Sequence, residues 1–227
     1  MSMFERFTEP ASQVIELAWE EAERLRHDYL GPEHVLAGLA RQEDSHAAGI
    51  LRSSGLDTEA VRAGLDRLVA QGMLPERWRN KSDLLSGLGV DLDAVQRALE
   101  ESFGTDAVCA AHKRVLRQPS RREDLLICTN PLNGKAMLAK RAFHLAGTEA
   151  DALGQHDIGP EHLLLGVLRD ALDPVSSTWR SRRLRRIRAH LGLPGHGPSP
   201  VALIIEASGT TPQALRDKVL AELHATT

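Results

Sequence analysis

GPEHVLAGLAR at residues 31–41 and GPEHLLLGVLR at residues 159–169 are two copies of one motif, and they decide how the rest of the chain is read. The offset between them is 128 residues, and it also maps Glu21–Ala22 and Leu25 onto Glu149–Ala150 and Leu153. Further on, Ala202, Ile205, Gly209, Ala214, Leu215 and Arg216 match Ala48, Leu51, Gly55, Ala60, Val61 and Arg62 at an offset of 154. The second copy therefore carries about 26 extra residues (154 minus 128) between Arg169 and Ala202. LLSGLGVDLDAVQRAL at 84–99 resembles 50–65, the back half of a repeat. Self-similarity at a fixed offset marks a duplicated supersecondary unit. The layout expected is repeat one over 1–72, an extra half-repeat and linker over 73–133, and repeat two over 134–227 with an arginine-rich insertion at 170–200. The two repeats are expected to pack as one domain.

The local signals within a repeat are helical. Thr8 supplies a cap and Pro10 fits an early-turn position, where its missing N–H costs nothing. Val14, Leu17, Ala18, Ala22 and Leu25 then recur at helical spacing. Gly31 breaks the chain, Pro32 can open a second helix, and Glu33 suits the positive end of its dipole. Residues 47–53 read as a short helix ending at Gly55, and Asp57 or Thr58 caps the next, through Val61, Leu65 and Leu68.

Composition agrees. Apolar residues make up 42 % and charged residues 26 % of the 227, the balance of a globular chain. Aromatics are only 4 %, so aliphatic side chains and alanine must build the core. The net charge of −3 hides strong local asymmetry and names no partner. Cys109 and Cys128 have no metal-ligand spacing, and a reduced, cytoplasmic chain is expected. MSMFERFTEP lacks a basic segment followed by an apolar run, so no signal peptide is expected. No apolar stretch approaches the length of a membrane span.

FERFTEPASQVIELAWEEAERLRHDYLGPEHVLAGL at 4–39 resembles the amino-terminal repeat of ClpC- and ClpA-type unfoldases. The family pattern is a Phe-x-Arg-Phe-Thr start, an Ala/Glu/Leu-rich helix, and a Gly-x-Glu-His motif followed by leucines. The resemblance implies an all-α, tandem pseudo-twofold bundle of about eight helices, here with an extra helical half-repeat and a basic helical insertion. In the family the domain sits on an ATPase ring and receives adaptors or substrates. No phosphate loop occurs in this sequence: NGKA at 133–136 lacks both the first glycine and the hydroxyl after lysine. The expectation is a free-standing binding module with no catalytic activity and no cofactor.

The resemblance also nominates residues. Glu33 and Glu161 match glutamates that help bind phosphorylated arginine, the carboxylate taking the guanidinium in a fork. A helix N-terminus and a hydroxyl can take the phosphate. Thr8 matches that hydroxyl, whereas Ala136 stands at its position in repeat two, so the working pocket is expected in repeat one around Glu33. The alternative for each glutamate is to stabilise its helix start. Phe4 and Lys140 match residues of a groove that accepts hydrophobic peptides, including cyclic peptide antibiotics, although Lys135 stands where a second aromatic belongs. Phe7 is expected in the core.

His27, His34, His156 and His162 invite a metal reading, but the repeat places Gln155 opposite His27, so packed or turn-bonding histidines are expected. In the insertion, Arg180, Arg182, Arg183, Arg185, Arg186 and Arg188 surround Leu184, Ile187 and Leu191, a basic amphipathic helix over 179–191. It suits an acidic protein surface or nucleic acid, and a nucleic-acid-associated or regulatory protein is the alternative function. Cys109, Cys128 and His112 lack a recognisable catalytic setting. The leading expectation is an accessory factor or decoy of the Clp protease system. Its partners would be phosphoarginine-bearing or unfolded proteins, Clp components or ClpC-directed cyclic peptides, with no membrane partner.

Overall fold

The computed structural model describes residues 3–27, 29–75, 92–104, 136–172 and 198–226. These form nine α-helices and two strands of two residues each, so the all-α expectation holds. Two compact units are present, one of Met1–Arg77 with Thr129–Thr227 and the other of Trp78–Cys128.

In the first unit, a 3-10 turn at Met3–Arg6 leads into α1 (Glu9–Arg24). The Thr8 hydroxyl oxygen accepts from the Ala11 N–H, the cap read from sequence. Ala11, Val14, Ala18 and Ala22 form its buried stripe. After β1 (Tyr29–Leu30), Gly31 caps α2 (Pro32–Arg41). Then come α3 (His46–Arg52), capped by Ser45, and α4 (Thr58–Ala70), capped by Asp57. Within the second unit the described helix is α5 (Leu92–Phe103), inside the expected half-repeat.

Repeat two supplies β2 (Ala136–Met137), α6 (Lys140–Ala152), α7 (Pro160–Leu172), α8 (Pro200–Ala207) and α9 (Pro212–Thr226). The helices α7 and α8 stand on either side of residues 173–197, so most of the expected insertion at 170–200 lies outside the described residues. Residue by residue, α6 repeats α1: Ala139, Ala142, Ala146, Glu149 and Ala150 are buried where Ala11, Val14, Ala18, Glu21 and Ala22 are buried. It begins one turn later, however. Ala136 lies in β2, and the N-cap is Ala139, which offers no side-chain acceptor. A helix without a capping oxygen leaves its first N–H groups to other partners. The Ala139 N–H instead donates to the Leu30 carbonyl at 2.9 Å.

The repeats are joined by a reciprocal exchange. Tyr29 and Leu30 of repeat one pair in parallel with Ala136 and Met137 of repeat two. Phe7 of repeat one forms a parallel bridge with Ile158 of repeat two. Each repeat's entry segment thus pairs with the turn of the other. Within each repeat the first two helices meet at a glycine. A Cβ on Gly38 would lie 2.5 Å from the Val14 carbonyl, and one on Gly166 would run into the Ala142 carbonyl and sit 2.6 Å from the Ala146 nitrogen. Val14 plus 128 is residue 142, so the same close approach occurs in both halves. Only glycine permits backbones this near.

Candidate functional site

The site begins with Thr8. Its N–H donates to the Ile158 carbonyl at 3.1 Å, and the Ile158 N–H donates to the Arg6 carbonyl at 2.7 Å. The Thr8 hydroxyl donates to the Ile158 carbonyl at 3.4 Å and accepts from the Ala11 N–H at 3.3 Å. Arg6 strengthens the junction, donating from Nε to the His156 carbonyl and from Nη2 to Asp151, both at 2.7 Å. This pairing carries the start of α1 to the residues just before α7. The outcome is a cleft of about 860 Å³ whose walls include Thr8, Pro10, Gly159, Pro160 and Glu161.

Thr8 therefore shares its cleft with Glu161 of the other repeat, not with Glu33 of its own. Glu33 is buried beside Gly31 and lies 3.9 Å from His34 Nδ1. Glu161 occupies the first turn of α7. The third wall comes from the end of α2 and the turn to α3: Arg41, Gln42, Glu43, Asp44 and Ser45. Three helix N-termini, those of α1, α3 and α7, border the cleft. Each directs the positive end of its dipole there. Three carboxylates, Glu43, Asp44 and Glu161, and one guanidinium, Arg41, stand on its described walls. Such a surface offers a cation several acceptors and an anion one strong donor.

Arg41 is held by a buried carboxylate that its place in the repeated motif did not reveal. Glu21 is 1 % exposed, yet it takes charged partners from three places: Arg24, Arg41 and Arg62. Burial pushes its carboxyl up, but hydrogen bonds and charge from Arg62 and Arg24 outweigh that and hold it below the usual carboxylate range. Repeat two copies the arrangement. Glu149 is 4 % exposed and accepts from Arg169 at 3.0 Å and Arg216 at 2.9 Å. Arg169 and Arg216 are the counterparts of Arg41 and Arg62 by the two offsets, so each repeat ties three helices to one buried carboxylate.

The histidines are structural. The Gly31 N–H donates to His34 Nδ1 at 2.9 Å, which leaves the His34 proton on Nε2. That nitrogen lies 2.9 Å from His27 Nδ1, and His27 Nε2 lies 2.8 Å from the Pro75 carbonyl. One neutral tautomer of each ring satisfies the whole chain. In repeat two the Gly159 N–H donates to His162 Nδ1 at 3.0 Å, but Gln155 replaces His27 and the buried Nε2 has no partner among the described residues. Burial pushes the His162 pKa down, and Arg6 adds to this against the opposing pull of Glu161 and Glu149. Among the described residues no group of three His, Cys, Asp or Glu side chains could hold a metal.

Phe4 falls in the 3-10 turn, and Phe7 packs edge-to-face on Phe143 with ring centroids 5.9 Å apart. Lys140 is exposed at the start of α6, one turn before Phe143. Lys135, Cys109, Cys128 and the insertion's Arg180, Arg182, Arg183, Arg185, Arg186 and Arg188 lie outside the described residues. Among the described residues no helix is long and apolar enough to cross a membrane.

Residues 6–77 match the family model of the Clp repeat (R) N-terminal domain. The chain is 31 % identical over 169 residues to a probable ATP-dependent Clp protease ATP-binding subunit of Chlamydia pneumoniae, covering 74 % of this chain and 14 % of that protein. It is 26 % identical to the chloroplastic chaperone protein ClpC2 of rice (Oryza sativa subsp. japonica) over 100 % of this chain and 16 % of the relative. Against the chloroplastic ClpC of pea (Pisum sativum) it is 31 % identical over 74 % of this chain and 13 % of the relative. The chain thus spans about one-seventh of the length of the curated relatives it matches. Among solved structures, the N-terminal domain of the chaperone ClpD from Arabidopsis thaliana aligns over 97 % of this chain and 99 % of that one, at 18 % identity and a TM-score of 0.46.

Proposed function

Because residues 6–77 belong to the Clp repeat (R) N-terminal domain family, we propose that this chain is a non-catalytic protein-binding module of a Clp protease system, and that the cleft between Thr8 and Glu161 takes phosphorylated arginine side chains. One observation carries the reading: the Phe7–Ile158 bridge sets a hydroxyl-capped helix start opposite a glutamate. Phosphoarginine joins a guanidinium to a phosphate, so it needs a carboxylate at one end and donors at the other. Glu161 supplies the first. The surrounding helix N-termini supply the second, and the Thr8 hydroxyl joins them by turning its proton away from the Ile158 carbonyl. Glu33 faces its own glycine turn, and Ala136 offers no hydroxyl, so the mirror-image pocket lacks half of its parts. Phe4 and Lys140 belong to a separate groove for hydrophobic peptides, cyclic ones included.

Calorimetric titration of free phosphoarginine into the wild type and Glu161→Ala tests this. Saturable binding is expected in the wild type and is lost in the variant. Binding that survives Glu161→Ala removes the cleft from the reading. Adding the module to a ClpC-type protease degrading an arginine-phosphorylated protein then separates two roles. An accessory factor raises the rate and a decoy lowers it, and Glu161→Ala abolishes either effect. Proteins carrying phosphoarginine, and Clp components themselves, are the partners this reading implies.

A further inference from the structure

Arg41 is the one cationic side chain on the described walls of the cleft. Its guanidinium is divided between two carboxylates of different character. Nη1 lies 3.1 Å from Glu21 Oε1 and donates to the Leu17 carbonyl at 3.3 Å. Those contacts are anchored: Glu21 is buried and held by Arg62 and Arg24 as well. Nη2 donates to Glu20 Oε2 at 2.8 Å, and the Glu20 side chain is 59 % exposed. An exposed carboxylate holds an arginine weakly, because water and salt compete for both charges. One arm of the fork is fixed and the other is held by a partner that an anion can replace. Repeat two offers an internal contrast. Arg169 keeps its buried Glu149, but the counterpart of Glu20 is Thr148, whose hydroxyl donates to the His144 carbonyl.

We propose that Arg41 is the anion contact of the cleft, and that Glu20 competes with the ligand's phosphate for Arg41 Nη2 and so sets the affinity of the site. This rests on the phosphoarginine reading given above. Binding then involves an exchange: the Nη2–Glu20 bond opens, the phosphate oxygen takes its place, and Nη1 stays on Glu21. The buried anchor keeps the guanidinium from following the ligand out of the wall. Glu20 also makes the empty cleft less attractive to stray anions, since they too must displace it.

The test is calorimetry of the full chain with phosphoarginine, and with agmatine, which carries the guanidinium and no anion. Glu20→Gln removes the competitor at an exposed position and is expected to tighten phosphoarginine binding about two- to fivefold, the range of an exposed ion pair. Agmatine binding should not strengthen. Glu16→Gln, exposed one turn away and not one of the carboxylates that Arg41 pairs with, controls for net charge and is expected to change little. In an Arg41→Lys background, checked for folding by its melt, the gain from Glu20→Gln should disappear. Phosphoarginine binding that depends on Glu161 but is unmoved by Glu20→Gln, or moved equally by Glu16→Gln, overturns this inference alone. Absence of binding in both the wild type and Glu20→Gln overturns the phosphoarginine reading and this inference together.

Discussion

Replacing Gly166 by alanine adds a methyl group where α7 crosses α6. That methyl would run into the Ala142 carbonyl and sit 2.6 Å from the Ala146 nitrogen, whereas ordinary contact begins at 3.4 Å. Both obstacles are backbone, so no side chain can swing away. To clear the nearer of the two, the Ala142 carbonyl, the helices must separate locally by about 1 Å, and a gap of that size forfeits a quarter to a half of the dispersion between facing atoms. Overpacking of this kind costs about 1–3 kcal/mol or more, and the better helix propensity of alanine returns about 0.5–1 kcal/mol. A net loss of about 1–2 kcal/mol is expected, which lowers Tm by about 2–8 °C for a domain of this size. Gly147→Ala, in the facing helix, is the control. Its Cβ meets only Ile158 Cδ1 at 3.6 Å, so the propensity gain of about 0.5–1 kcal/mol should survive. Thermal unfolding followed by circular dichroism reads both. If Gly166→Ala melts at or above Gly147→Ala, the backbone approach is not what the structure shows and the reasoning fails. Glu161 lies five residues before Gly166 on the same helix, so ligand affinity should fall with stability in the first variant and hold in the second.

Three other outcomes follow from features already described. Arg26, just past the Leu25 cap of α1, has φ of 56°, where repeat two has Gly154 at 71°; Arg26→Gly should stabilise by about 0.5–1 kcal/mol in denaturant titration, since a left-handed residue with a Cβ is strained. Glu149→Gln leaves Arg169 and Arg216 without their carboxylate and should cost about 2 kcal/mol, below the usual loss for a buried pair because Arg169 is 44 % exposed; Glu21→Gln, with three arginines around it, should cost more. The His162 pKa is lower folded than unfolded, so protons favour the unfolded chain as pH falls below about 6.5. Melts between neutral and mildly acidic pH should therefore show a decline that is smaller in His162→Gln. A variant with the wild-type decline refutes that assignment.

The helices and their caps were legible because each rests on residues close in sequence: Thr8 with Ala11 and Asp57 with Ala60. The partner of Thr8 was not. It depends on Phe7 bridging to Ile158, a contact across 151 residues (158 minus 7) that no local pattern encodes. Matching Thr8 to Glu33 within one repeat was the natural reading, whereas the exchange between repeats brings Thr8 and Glu161 to one cleft. The buried carboxylates stood in plain view, since Glu21, Arg41, Glu149 and Arg169 all lie in the repeated text. They served there as markers of duplication, because burial of a charge shows only once the helices are packed. Ala136 signalled a missing hydroxyl but not the late start of α6, which follows from β2 claiming the residues of its first turn.

The strand exchange has a consequence on the ribosome. Tyr29 and Leu30 emerge 107 residues (136 minus 29) ahead of the segment that pairs with them. At roughly 5–20 residues per second, repeat one waits about 5–20 s with its backbone edge unclaimed. An open edge invites pairing with a neighbouring nascent chain. The edge here is two residues long, too short to hold a stranger, yet sufficient to greet Ala136 when it arrives already tethered to the same molecule.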